Sequence, residues 1–178
     1  WFQLYIRADR GFTKELVERV QAAGCRALCL TVDSPVSGIR YREMRAHLST
    51  PPGLHSPHME SHKSKANIAA TLTWKDVEWL KSFSRIPMLL KGILNPDDAE
   101  HAVRLGASGI IVSNHGARNL DTVPATAEAL SLSTDIVAGR VPVLVDGGIR
   151  RGTDVLKAIA LGAAAILIGR PYIYGLGA

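Results

Sequence analysis

The chain has 178 residues and a mass of 19.2 kDa, with 47% hydrophobic and 21% charged residues. That balance fits one soluble globular domain, argues against disorder, and leaves no apolar run approaching the roughly 18 residues of a membrane span. The net charge of +5 comes from 21 scattered basic residues, with no dense Lys/Arg block beside stacking aromatics, so a small anionic ligand fits better than nucleic acid.

The chain opens with Trp1, not Met, on an apolar run, so it reads as starting mid-domain. No signal peptide is visible, and a cytoplasmic setting is the default expectation. The spacing predicts a strand over Trp1–Ile6 and a helix over Thr13–Ala23, which carries Leu16, Val17 and Val20. A buried strand follows at Cys25–Val32. Its two cysteines, Cys25 and Cys29, are too few for a disulfide scaffold or a zinc site and read as small buried hydrophobes.

Ser34–Thr71 is a long gap holding Pro35, Pro51, Pro52, Pro57, four histidines and several serines, with no sustained period. A connection of that length inside a compact domain is expected to be a functional lid or a mobile loop. His55, His58 and His62 could line a helix face, but the surrounding Pro and Ser argue against that helix and no cysteine completes a metal site. No metal is expected. Met59 reads as loop packing and Trp74 as part of a helix face.

A helix opens at Thr73-Trp74-Lys75-Asp76 and places Val77, Leu80 and Phe83 on one side. A strand is expected at Pro87–Leu90. Asn95-Pro96-Asp97-Asp98 is a helix start: Asn caps, Pro fits the first turn, and the acids oppose the positive helix end. The spacing then gives a strand at Gly109–Ser113, a helix at Thr126–Val137, a strand at Val141–Val145, a helix at Thr153–Ala160 and a strand at Ala165–Ile168. One phrase recurs: a helix, a Gly (Gly24, Gly106 or Gly162), then a buried strand, where the Gly supplies a left-handed C-cap.

Strands without polar alternation, separated by helices, mean βα units and a parallel sheet, hence an α/β fold. No GxGxxG follows the first strand, which weakens the doubly wound alternative. Gln3, Tyr5, Thr31, Asp33, Lys91, Ser113, His115, Asp146, Gly169 and Arg170 all stand at strand ends. A closed barrel would gather those ends at one mouth, whereas an open sheet would string them in a line.

Two strings carry chemistry. Ser113-Asn114-His115-Gly116-Ala117-Arg118-Asn119-Leu120-Asp121 follows a strand directly, so His115 can act as a base and Arg118 can hold a carboxylate. Asp146-Gly147-Gly148-Ile149-Arg150 and Ile168-Gly169-Arg170-Pro171 follow the last two strands. Glycine lets backbone N–H groups approach a phosphate, which makes this pair a candidate phosphate cradle.

With Trp1-Phe2-Gln3-Leu4-Tyr5, Leu30-Thr31-Val32-Asp33-Ser34-Pro35 and Leu90-Lys91-Gly92, these strings closely resemble the FMN-dependent 2-hydroxy-acid oxidase and dehydrogenase family, which includes glycolate oxidase, lactate oxidase and mandelate dehydrogenase. The resemblance runs along the chain except for about Arg45 to Thr71. Ala117 and Asn119 stand where the commonest family string has Gly and Gln. The resemblance implies a TIM (β/α)8 barrel of the FMN-linked type. The strands here would be its third to eighth, without the first two βα units or the C-terminal end, so residues 1–178 form one partial domain with a long active-site loop at about 34–71.

The resemblance also implies roles. His115 is the base as hydride passes from the Cα of an L-2-hydroxy acid to flavin N5, or, on a carbanion route, the group that takes the Cα proton. Asp33 orients His115. Tyr5, Arg40 and Arg118 bind the substrate with His115. Gln3, Thr31, Lys91, Ser113, Asp146, Gly147, Gly148, Arg150, Gly169 and Arg170 bind FMN. The expected partners are a small 2-hydroxy acid and oxygen or another electron acceptor, in a homo-oligomer that is often a tetramer in relatives. Two other readings stay open: an FMN barrel acting on a different substrate, which would not need His115, Arg118 and Arg40 together, and a catalytically inactive piece serving as a phosphate-binding or assembly module.

Overall fold

The computed structural model describes residues 1–47, 49, 51–54 and 67–178. His55, His58, Met59 and His62 lie outside the described residues. Among the described residues, six strands form one parallel sheet in chain order: β1 (Phe2–Leu4), β2 (Leu28–Thr31), β3 (Met88–Ile93), β4 (Gly109–Val112), β5 (Val143–Val145) and β6 (Ala165–Ile166). The main connecting helices are α1 (Arg10–Ala22), α3 (Trp74–Phe83), α4 (Pro96–Arg104), α5 (Thr126–Val137) and α6 (Gly152–Ala160). The short α2 (Tyr41–Arg45) lies between β2 and α3, and α7 (Arg170–Gly177) follows β6.

The strand order decides the architecture. Parallel crossovers are right-handed, so strands added always in the same direction put every crossover helix on one face. A doubly wound sheet instead reverses its order at a switch point. No reversal occurs here, and the face without helices must curl on itself as a barrel wall does.

Local signals set the helices. Asp9 caps α1 by accepting from the Phe12 N–H at 2.9 Å, and Phe12, Leu16, Val17 and Val20 point inward. Asn95 caps α4 by accepting from the Asp97 N–H at 3.0 Å. Gly24, Gly106 and Gly162 follow their helices in the left-handed region, at φ of +80°, +76° and +96°. Neither α2 nor α7 buries a side chain, and the sequence spacing predicts no helix at either.

Two apolar layers result. The outer layer packs Leu28, Leu30, Leu90, Ile110 and Val112 of the sheet against helix residues such as Val17, Leu80, Ala102 and Leu130. The inner layer is smaller, with Ala27, Cys29, Leu89, Ile111 and Leu144 and, beside them, Leu167. Burial pushes the Cys29 thiol up to about 11, which keeps it a neutral, packed group.

Register then positions the site. Side chains alternate across a strand, so every second residue faces the inside. Two steps beyond Cys29, Leu89, Ile111 and Leu144 stand Thr31, Lys91, Ser113 and Asp146. The inner face thus turns from apolar to polar where four neighbouring strands reach their C-terminal rim.

The segment at Asn67–Ala69 returns to this end. Arg7 and Ile68 form an antiparallel bridge, Ala8 N donates to Asn67 O at 2.8 Å, and Ala69 N donates to Ile6 O at 2.9 Å. Among the described residues no helix is long and apolar enough to cross a membrane.

Ile110 is fully buried between sheet and helices. Ile110→Ala is expected to cost about 3 kcal/mol, the usual range for a buried Ile truncation. Urea unfolding measures it, and a loss under about 1 kcal/mol would contradict the packing.

Candidate active site

Ser113 is the hub of the rim. It is fully buried, directly after β4. Its hydroxyl accepts from Lys91 Nζ at 3.1 Å and from the His115 backbone N–H at 3.1 Å, and donates to Asp146 Oδ1 at 2.7 Å. One donor and two lone pairs are all a hydroxyl has, so each is engaged. Lys91 Nζ also lies 3.4 Å from Asp146 Oδ2, which balances a lysine held almost out of solvent.

His115 sits at φ +56°, a left-handed conformation that costs a non-glycine residue roughly 1 kcal/mol. The bond from its N–H to Ser113 holds it there. Its Nδ1 lies 2.9 Å from Asp33 Oδ1. A carboxylate only accepts, so Nδ1 carries the proton and Nε2 is left as the basic nitrogen.

Asp33 fits because residue 92 is Gly. A Cβ there would lie 2.5 Å from Asp33 Cβ, and Gly92 has φ +106°. Ser34 Oγ also bonds Asp33 Oδ1 at 3.1 Å, and Asn119 Nδ2 reaches Asp33 O at 3.1 Å and Ser34 Oγ at 2.5 Å.

The substrate-side candidates divide. Tyr5 Oη accepts from Gln3 Nε2 at 3.1 Å, and the same amide donates to Thr31 Oγ1 at 3.0 Å. The Tyr5 hydroxyl keeps its own proton to donate. Arg118 and Arg40 are exposed, and both approach the Glu43 carboxylate of α2, at 3.3 and 3.4 Å.

Lys91, Asn114, His115, Arg118, Asp146, Gly147, Gly148, Arg150, Gly169 and Arg170 line one cleft of about 750 Å³. That volume lies within the usual range for ligand pockets. At its β5 side the Arg150 and Arg151 backbone N–H groups donate to Asp154 Oδ2 at 3.0 and 2.9 Å, which holds the Asp154 carboxyl below its ordinary range. Gly148 leaves open space where a side chain would stand. Arg170 Nη2 donates to Gly116 O at 2.8 Å and ties the start of α7 to the His115 loop. An open glycine and two arginines along one cleft suit a ligand that carries a phosphate or another anionic group.

The sequence reading missed Glu43, and it gave Ser34 and Asn119 no task of their own. Glu43 lies in a short polar helix with no period to mark it. Asn119 meets Asp33 and Ser34 from more than eighty positions away, a contact no local pattern encodes.

Ala117 has φ +56° and carries a Cβ in the left-handed region. Ala117→Gly is therefore expected to stabilise the fold by about 1 kcal/mol. A thermal melt checks this, and destabilisation would contradict it.

Comparison with known proteins gives a family and a fold. The family described as FMN-dependent dehydrogenase matches residues 1–178. L-lactate oxidase of Nostoc sp. is 51% identical over 99% of this chain and 53% of its own length. 2-Hydroxyacid oxidase of Dictyostelium discoideum is 49% identical over 99% of this chain and 48% of its own. A crystal structure of mandelate oxidase superposes with a TM-score of 0.91 at 45% identity, over 99% of this chain and 52% of that one. The chain spans about half the length of the relatives it matches, and its six strands form part of their (β/α)8 barrel.

Proposed function

From the premise that the chain belongs to the FMN-dependent dehydrogenase family, we propose that it serves the oxidation of a small L-2-hydroxy acid, of the lactate, glycolate or mandelate type, to the 2-oxo acid. The observation that carries this reading is the Asp33–His115 pair at 2.9 Å, on the same rim as buried Lys91. An acid–base group, its orienting carboxylate and a fixed cation are what removal of hydrogen from a hydroxy acid requires.

His115 Nε2 takes the hydroxyl proton of the substrate. Asp33 keeps the imidazole in the Nδ1–H form and offsets the charge it gains. Arg118 holds the substrate carboxylate with Arg40, and Tyr5 donates its hydroxyl to the substrate. Bound FMN would supply the acceptor for the hydride that leaves Cα as the C=O bond forms. Lys91 sets a positive charge beside the ring, where negative charge gathers on reduction. Gln3, Thr31 and Ser113 would hold the ring edge, with Ser113 orienting Lys91. Asp146 would serve the ribityl chain, and Gly147, Gly148, Arg150, Gly169 and Arg170 would hold the phosphate end.

Anaerobic mixing of the FMN-loaded protein with L-lactate, glycolate or mandelate is expected to bleach the flavin band. His115→Ala is expected to keep its FMN while the reduction rate falls by a factor of about 10²–10⁴, the usual contribution of a general base. Unchanged reduction kinetics in His115→Ala would contradict the assignment.

A further inference from the structure

We propose that Asn119 and Ser34 are positioning residues for the His115 base, acting through Asp33; the inference deepens the function proposed above and rests on it. The argument is one of hydrogen-bond direction. Asn119 Nδ2 is an obligate donor and stands 2.5 Å from Ser34 Oγ. It takes a lone pair of that hydroxyl. The hydroxyl proton of Ser34 must then point elsewhere, and Asp33 Oδ1, an obligate acceptor, is 3.1 Å away. His115 Nδ1 meets the same oxygen at 2.9 Å and lies 3.4 Å from Ser34 Oγ. The relay therefore has one sense: amide to hydroxyl, hydroxyl to carboxylate, with the imidazole N–H facing the carboxylate oxygen and the hydroxyl.

That arrangement corrects a weakness in the pair. Among the described residues, Asp33 Oδ2 is buried with no hydrogen-bond partner. The side-chain hydrogen bonds of Asp33 therefore all run through Oδ1. Ser34 fixes Oδ1 from one side, and Asn119 fixes the Asp33 backbone through its carbonyl at 3.1 Å. The two loops are also pressed together at Gly38, where a Cβ would lie 2.1 Å from Arg118 O. Asn119 thus reaches Ser34 from a short, backbone-to-backbone approach.

The test is the exchange of the His115 Nδ1 proton with water, followed by NMR on protein carrying ¹⁵N-histidine and assigned by its loss in His115→Gln. In the parent protein this proton is expected to exchange slowly. Ser34→Ala should speed its exchange about ten-fold, as loss of a buried hydrogen bond predicts. Ser34→Thr, which keeps the hydroxyl, should restore the parent rate. Asn119→Leu keeps the bulk but removes the donor, and should also raise the rate while leaving Ser34 in place. In the FMN-loaded protein, Ser34→Ala should lower the limiting rate of flavin reduction with little change in substrate Kd. Exchange and limiting rate both unchanged in Ser34→Ala or in folded Asn119→Leu would overturn the inference. The exchange readout needs no substrate. A protein inert to hydroxy acids that still showed this pattern would overturn the proposed function and support the relay.

Discussion

The chemistry proposed for the rim depends on one contact, Asp33 Oδ1 against His115 Nδ1 at 2.9 Å. The two residues are far apart in the chain and follow β2 and β4, strands separated by β3. Parallel pairing in strict chain order brings them to the same edge. Gly92, at the end of the intervening strand, gives Asp33 the space to lean across. A side chain at that position would collide with the carboxylate, so a glycine in a strand is here a condition of the chemistry.

The same register supplies the surroundings. Period-two alternation sends Cys29, Leu89, Ile111 and Leu144 inward as packing, and the next inward positions are Thr31, Lys91, Ser113 and Asp146. The apolar layer keeps water from one side of Lys91, and Asp146 and Ser113 satisfy its charge from the other. Ser113 then links that ion pair to the backbone of His115. The cation and the base are joined by one hydroxyl, so displacement of either is felt by the other.

Much of the architecture could be read from the residues because its signals are local. Apolar runs without alternation marked buried strands, Asn95-Pro96 marked a helix start, and Gly24, Gly106 and Gly162 marked three left-handed helix ends, while the left-handed cap of α5 falls on Ala138, which nothing in the sequence signalled. The helix expected at Thr126–Val137 has those bounds, whereas α1 starts at Arg10, three residues before Thr13, because Asp9 takes the cap. The strand after Arg85 continues past Leu90 to Ile93, since Lys91 is accepted inside the sheet by Ser113 and Asp146. The glycine–arginine strings marked the two loops that line the cleft with His115. Contacts between distant loops were not legible in this way. Glu43 against Arg118 and Asn119 against Ser34 depend on how two rim loops meet, and their residue types are common in any polar loop.

The most direct test of the central claim is a crystal structure of the FMN-loaded protein with a bound 2-oxo acid. The account predicts the keto oxygen at roughly 2.6–3.2 Å from His115 Nε2, the carboxylate on Arg118, and the imidazole still bonded to Asp33 through Nδ1. A ligand seated away from Nε2, or an imidazole turned off Asp33 with product in place, would contradict it.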